Sequence, residues 1–140
     1  KKENVHEWFD LAGMEESPHM MYAVEALEGV ADKIPSVIHI DNTCRVQTVT
    51  VEQNEHYYNL IDAFEKLSGV PILFNTSFNL GGEPLVETIE DAIETLETSD
   101  IKYMYLPELQ KLVTIDYKND SEKIFEYRSS FIKDDNHVEI

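Results

Sequence analysis

The sequence predicts an α+β fold, in which helices pack against a twisted β-sheet. Two amphipathic helices are indicated over residues 54–68 and 89–98, because their apolar side chains recur at three- and four-residue spacing. Segments with the length and apolar pattern of single strands lie before, between and after these helices. An apolar content of 42%, with seven Tyr and six Phe, is typical of a chain that folds around a core.

Side-chain chemistry predicts where both helices begin and where the first one ends. Asn54 is the expected N-cap of the first helix, and Gly69 is its expected C-terminal stop. Thr88 is the expected N-cap of the second helix, with Asp91 at the third helical position.

The remaining pattern predicts short strands. Residues 36–40 and 45–51 are expected to form a hairpin around Asp41-Asn42-Thr43, which has the composition of a turn. Other strands are expected over residues 20–27, 70–74, 101–106 and 111–115. Residues 1–19 are expected to form an amphipathic segment with one apolar side, and no element is assigned after Tyr117.

Charge and cysteine content restrict the possible partners. The chain has 28 acidic and 11 basic residues, a net charge of −17, which repels nucleic acid and anionic membranes, so neither is expected as a partner. The absence of a long apolar run or a basic leader predicts a soluble, unprocessed protein. The single Cys44 fits a reducing cytoplasm. Because the sequence starts at Lys1 without Met, we expect it to be cut from a longer polypeptide.

The most informative stretch is residues 70–86, where an apolar run changes abruptly to side chains that hydrogen-bond. Polar groups directly after a strand are how a sheet presents ligand-binding side chains at its carboxyl edge. A Gly-Gly turn allows close backbone approach and leaves N–H groups free. The candidate binding residues here are Asn75, Thr76, Ser77, Asn79, Gly81 and Gly82, with Glu83 in support.

A second candidate group surrounds Arg45, whose planar guanidinium suits carboxylate or phosphate oxygens. Gln47 is expected on the same strand face as Arg45. His39, Asp41 and Thr43 are assigned supporting roles, and no metal site is predicted, since no third ligand lies near His39 and Asp41. Plainer interpretations stay open. Arg45 could form a surface salt bridge, Ser77 and Asn79 could hydrogen-bond to backbone groups at the end of a strand, and Gly81-Gly82 could serve only as a turn.

Two long, ordered motifs carry a resemblance to a known family. They are His39-Ile40-Asp41-Asn42-Thr43-Cys44-Arg45-Val46-Gln47-Thr48-Val49, and Gly69-Val70-Pro71-Ile72-Leu73-Phe74-Asn75-Thr76-Ser77-Phe78-Asn79 with Gly82-Glu83-Pro84 after it. They resemble the C-terminal region of the O-carbamoyltransferase family, which includes nodulation-factor, cephamycin and tobramycin carbamoyltransferases. The resemblance covers residues 17 to 115.

The resemblance implies a fold and an activity. Family members are similar in having an N-terminal Kae1-like (actin-like ATPase-fold) domain, which holds a metal ion, and a C-terminal YrdC-like domain with a mixed sheet. Residues 1–117 are expected to belong to the YrdC-like domain, with residues 118–140 as a charged extension. This domain is expected to make carbamoyl-adenylate from carbamoyl phosphate and ATP, bound with Mg²⁺. The Kae1-like domain then transfers the carbamoyl group to an acceptor hydroxyl.

The resemblance also implies roles for individual residues. Ser77-Phe78-Asn79 is similar to the Ser-x-Asn element of the YrdC-like nucleotide site, and Arg45 and Ser77 are expected to be catalytic. Asn42 stands where the family has Gly, and Asn tolerates the positive φ of such a turn. The family's basic segment, with an Arg-Pro-Phe-Ala-Pro-like run, is absent. The chain is therefore expected to be a truncated domain that holds half of a nucleotide site and is inactive alone.

Two alternatives remain. One is a threonylcarbamoyl-adenylate synthase of the YrdC type, although the Arg45 motif and the Gly-Glu-Pro ending favour the carbamoyltransferase. The other is a catalytically inactive acidic module that docks onto a Kae1-like partner.

Overall fold

A computed structural model of the chain describes residues 1–117 and 123–128, and it divides into two compact units, Lys1–Asn75 and Thr76–Ile140. Each unit has a three-stranded sheet and an α-helix among its described residues, so the α+β class is confirmed. The resemblance implied a mixed sheet, whereas all the described strand pairs are antiparallel.

The first unit is built on strands β1 (Phe9–Asp10), β2 (Ala23–Ala26) and β3 (Thr43–Arg45) and on helix α1 (Glu55–Ser68). The central strand β2 pairs with β1 and with β3, and Val24 lies opposite Cys44. A 3₁₀ helix over Lys2–Glu7 precedes the sheet. The expected apolar side of the first segment is confirmed, since the core of this unit contains Val5, Trp8, Phe9, Leu11, Val24, Ala26, Val30, Ile34, Cys44 and Val46.

The second unit consists of helix α2 (Ile89–Thr98) followed by strands β4 (Tyr103–Leu106), β5 (Lys111–Tyr117) and β6 (Lys123–Arg128). Strand β5 pairs with both neighbours, which confirms the predicted pair of strands before and after Pro107. Strand β6 has no counterpart in the sequence-based assignment. The core surrounds Leu96, which is 0% exposed, and contains Ala92, Met104, Val113 and Ile115.

Both helices have the end interactions that the sequence predicts. The Asn54 side chain accepts a hydrogen bond from the Tyr57 N–H at 2.9 Å, and Gly69 ends α1 with a left-handed φ of 74°. Thr88 and Asp91 form a reciprocal capping box at α2, in which the Thr88 N–H donates to Asp91 at 2.9 Å. This backbone bond and the Thr88 side chain hold the pKa of Asp91 below its usual range. Neither helix has the length and apolar composition needed to cross a membrane, and no other helix of the described part does.

The predicted hairpin of residues 36–40 and 45–51 is wrong. Pro35–Val37 forms a 3₁₀ turn, and β3 pairs with β2 instead. Residues 46–50 lie outside the strands, and two hydrogen bonds tie them to Ser17. The Ser17 hydroxyl donates to the Val46 carbonyl at 2.9 Å, and the Ser17 carbonyl accepts from the Thr48 N–H at 2.9 Å. Burial alternates as predicted as far as Thr48, but Val49 is buried as well, and the partner of this segment lies far away in sequence. Strand β2 is confirmed as a shorter element than the predicted 20–27.

The capping box gives a test of the second unit. Replacing Thr88 with Ala removes the side-chain acceptor and is expected to lower the free energy of unfolding by about 1 kcal/mol. Thr88→Ser keeps the hydroxyl and should therefore retain most of the free energy of unfolding that Thr88→Ala loses. Urea denaturation of the three proteins measures the difference, and equal losses in both variants would show that the cap does not stabilise α2.

Candidate functional site

The turn before β3 contains a chain of hydrogen bonds that orders three of the predicted residues. The Thr43 hydroxyl donates to Asp41 Oδ1 at 2.7 Å, and it lies 2.9 Å from His39 Nδ1. Since a hydroxyl has one proton, and Asp41 receives it, Nδ1 of His39 must be the donor to Thr43. The Nε2 atom of a neutral His39 is then left as an acceptor.

Two further features stabilise this turn. The Thr43 hydroxyl and the Thr43 N–H, which donates at 3.1 Å, hold the pKa of Asp41 below its usual range. Asn42 has a φ of 63°, as expected for a residue that replaces glycine, and its side chain donates to the Ala26 carbonyl at 2.9 Å. The substitution therefore keeps the turn and adds a bond to β2.

Arg45 and Gln47 lie on one exposed face, as predicted, because they alternate with the buried residues Cys44, Val46 and Thr48. Gln47 Nε2 donates to the Pro18 carbonyl at 3.0 Å, and its Oε1 accepts from Asn75 Nδ2 at 2.8 Å. The structure thus brings Asn75 to the Arg45 face. Among the described residues, none forms a hydrogen bond or an ion pair with the Arg45 guanidinium.

Cys44 is a core side chain. It is 3% exposed, and burial raises the pKa of its thiol to about 11, which disfavours the thiolate. The described part of the chain contains no group of three or more His, Cys, Asp or Glu side chains that could hold a metal ion.

The predicted buried strand over residues 70–74 is wrong. Val70 and Ile72 pack against the first core, but Phe74 is 67% exposed. Residues 71–75 lie outside every described strand, and within the described residues they make no backbone hydrogen bond. An apolar run predicts partial burial of side chains, but a strand also needs a neighbouring backbone with which to pair.

The second unit holds the other candidate residues around a turn. Thr76 and Ser77 are exposed, and the backbone bends at residues 78–79, so the extended geometry that would align Ser77 with Asn79 is absent. Instead, Asn79 Nδ2 donates to the Glu83 carbonyl at 2.9 Å and to the Leu80 carbonyl at 3.2 Å.

The Gly-Gly pair is the centre of this turn, which the Glu83 N–H closes by donating to the Leu80 carbonyl at 3.0 Å. Gly82 has a φ of 88° at the position where a type II turn requires a positive value. A Cβ atom at Gly81 or Gly82 would meet nothing within 4 Å, so conformation and not crowding explains the glycine at position 82.

The predicted residues therefore fall into two groups. The first unit contains His39, Asp41, Thr43, Arg45, Gln47 and Asn75, and the second unit contains Thr76, Ser77, Asn79, Gly81, Gly82 and Glu83. Sequence reasoning missed Ser17 and Pro18, which fix residues 46–48 by hydrogen bonds. In the sequence, Ser17-Pro18 indicated only that the first segment ends there, and not that these residues bond to residues 46–48.

Comparisons with known proteins identify a family. A family model described as carbamoyltransferase C-terminus matches residues 1–111. Nodulation protein NolNO of Sinorhizobium fredii is 41% identical over 101 residues, which is 71% of this chain and 15% of the relative. Nodulation protein NolO of Bradyrhizobium diazoefficiens is 39% identical over 101 residues, which is 71% of this chain and 18% of that protein.

A relative with an enzymatic name is also similar. The 3'-hydroxymethylcephem-O-carbamoyltransferase of Streptomyces clavuligerus is 32% identical over 89 residues, which is 64% of this chain and 17% of the relative. The chain thus matches only 15% to 18% of the length of these three proteins.

The hydrogen bonds at Asp41 predict a measurable titration. Its folded-state pKa is below the unfolded value, so the bonds stabilise the turn above the usual carboxyl range and are lost as pH falls through the folded pKa. Thr43→Val removes the hydroxyl donor and should raise the Asp41 pKa, whereas Thr43→Ser should leave it low. Carboxyl NMR titration measures both, and an unchanged pKa in Thr43→Val would contradict the hydrogen-bond assignment.

Proposed function

The chain belongs to the carbamoyltransferase C-terminus family, and from that membership we propose that it is the part of an ATP-dependent O-carbamoyltransferase that forms carbamoyl-adenylate. The substrates proposed are carbamoyl phosphate and ATP. The observation that carries the proposal is Arg45, an exposed guanidinium in the family motif for which no described residue is a partner.

The proposed reaction brings two anions together. Water converts carbamoyl phosphate to carbamate and inorganic phosphate. A carbamate oxygen then attacks the α-phosphorus of ATP, the bond from that phosphorus to the β-phosphate oxygen breaks, and pyrophosphate leaves. Negative charge develops at the α-phosphate, and a positioned guanidinium stabilises it by charge-assisted hydrogen bonds. In a chain with a net charge of −17, the anions would otherwise be repelled.

The neighbours of Arg45 suit the carbamoyl group. Gln47 holds Asn75 in place, and this contact engages one of the Asn75 amide protons and leaves its carbonyl oxygen as an acceptor. We propose that this oxygen accepts a hydrogen bond from the carbamoyl NH₂ group. His39, held through Thr43, offers Nε2 as a second acceptor. Asp41 and Thr43 act by orienting the turn.

The second unit has groups suited to phosphate. Thr76 and Ser77 expose hydroxyls that can donate to phosphate oxygens, and we propose a binding role for both and a catalytic one for Ser77. The contacts of Asn79 make a different contribution. Its amide donors are used on the Leu80 and Glu83 carbonyls, so we propose that Asn79, with Gly81, Gly82 and Glu83, shapes the loop beside these hydroxyls.

The rest of the activity is proposed to lie in other parts of a longer polypeptide. A Kae1-like domain with its own metal ion would transfer the carbamoyl group to an acceptor hydroxyl, and Mg²⁺ would enter with the ATP phosphates. The greater length of the relatives and the enzymatic name of one of them support this proposal. We expect the 140-residue chain to be inactive alone and the full protein to work in the cytoplasm, where the free thiol of Cys44 stays reduced.

Arg45 provides the test. In the full-length parent protein, Arg45→Ala should reduce carbamoyl-phosphate-dependent pyrophosphate release from ATP by a factor on the order of a hundred. Arg45→Lys keeps the charge without the fork and should fall between that variant and the parent. Lys66→Ala is the matched control, because Lys66 is an exposed cation that pairs with Asp62 on the surface of α1.

The outcomes separate the parts of the proposal. Loss in Arg45→Ala with normal release in Lys66→Ala supports both the reaction and the assignment of Arg45. Equal release in the parent and in Arg45→Ala would overturn the assignment but leave the reaction. A parent that releases no pyrophosphate would overturn the reaction and favour an acidic docking module.

A further inference from the structure

The segment over residues 70–75 has the composition of a strand but lacks a partner. Its apolar side chains are those of a core strand, and Val70 and Ile72 pack on the first core. Within the described residues, positions 71–75 make no backbone hydrogen bond. The Val70 N–H donates to the Ser68 hydroxyl at 3.1 Å, so residues 71–75 are the part whose backbone is available for pairing, as strand-forming backbone in folded proteins normally is.

Apart from Pro71, the segment and its surroundings lack the features that protect an exposed edge. Native proteins place charged side chains on free strand edges to prevent association. Residues 67–82 contain no charged side chain, in a chain of which 28% is charged. Phe74 is 67% exposed at the end of the segment. Such a surface is typical of one that another part of the protein covers.

Helix α1, which leads into the segment, has a second uncovered apolar surface. Leu60, Phe64 and Leu67 follow one another at helical spacing, and all three are exposed. Two acidic side chains of α1 form ion pairs: Asp62 with Lys1 and Lys66, and Glu65 with Lys1. An uncovered apolar stripe on the helix that leads into an unpaired segment is expected where a further layer of structure packs.

We propose that residues 70–75 pair as a β-strand with a strand from the remaining part of the same polypeptide, which also covers the Leu60–Phe64–Leu67 stripe. This inference rests on the proposed function in taking the chain to be part of a longer protein. Pairing would order Asn75, the last residue of the segment, whose side-chain amide donates to Gln47 beside Arg45. The docked strand would thereby position part of the proposed carbamoyl site.

The size of the surface favours an intramolecular partner. One short strand and three partly exposed side chains offer roughly a few hundred Å², well below the ~800 Å² per partner of a stable interface between separate molecules. A strand in the same polypeptide has an effective concentration on the order of millimolar, at which a small surface suffices. A second copy of the chain would lack that advantage.

Hydrogen exchange in the full-length parent tests the proposal. Alternate N–H groups of a strand point to opposite edges, so one of two sets of amides, Ile72 with Phe74 or Leu73 with Asn75, should exchange at least about tenfold more slowly than the Leu85 amide. Leu85 is a matched reference, since it is 68% exposed, lies outside helices and strands, and makes no described backbone hydrogen bond. Protection must be independent of protein concentration, because concentration-dependent protection would identify a second copy and overturn the proposal.

Proline variants add an independent readout. A proline at the amide that exchange shows to be protected, Phe74→Pro or Leu73→Pro, removes an N–H that pairing needs and should lower the melting temperature of the parent, whereas alanine at the same position and Leu85→Pro should lower it less. Exchange as fast as that of Leu85 at all four amides from Ile72 to Asn75 in the unmodified parent would overturn the proposal even if the proline variant failed to fold. Neither measurement depends on activity. If the strand is protected but the parent releases no pyrophosphate, the proposed reaction is refuted and the proposed pairing stands.

Discussion

The candidate site in the first unit depends on the register of β3 against β2. Pairing places Val24 opposite Cys44 and directs both into the core, so the next side chain, Arg45, must point outward. Asn42 fixes this register from the turn, since its carbonyl accepts from the Ala26 N–H at 3.0 Å and its side chain donates to the Ala26 carbonyl. A slip of one residue would bury the guanidinium and expose the thiol, at the cost of an unpaired charge in the core.

Charge explains why one arginine is informative. Several cations of this acidic chain are already engaged: Lys1 with Asp62 and Glu65, Lys2 with Glu16, and Lys33 over the Trp8 ring. Arg45 has no described ion-pair partner, which it shares with Lys102, but Arg45 also has beside it two amide side chains, Gln47 and Asn75, that are held by neutral hydrogen bonds. A positive group kept available on a negative surface is suited to an anionic ligand.

Local chemistry in the sequence predicted the helices well, because Asn54, Gly69, Thr88 and Asp91 act within a few residues of their own position. Pairing was harder to predict, because it joins distant segments. The Gln47 side chain bonds to Pro18 and Asn75, which are 29 and 28 residues away, and Ser17 takes the place of the expected hairpin partner. The run over 70–74 shows the same limit, since composition identified its apolar character and not its missing neighbour. Strand β6 was missed although Ile124, Phe125 and Tyr127 are of strand-forming types, because the segment around them is polar and charged and its pairing with β5 is not visible in the sequence.

Isotope transfer tests the central claim most directly. If the full-length parent makes carbamoyl-adenylate, an oxygen of carbamate becomes the bridge to the α-phosphorus and stays with AMP when the carbamoyl group moves to the acceptor. Carbamate has two equivalent oxygens, of which only one is labelled when carbamoyl phosphate carries ¹⁸O at its carbonyl. With ATP and an acceptor alcohol, the reaction should therefore yield a mixture of AMP with one ¹⁸O and unlabelled AMP by mass spectrometry. AMP that carries no ¹⁸O, or carbamoyl transfer without AMP, would contradict the account.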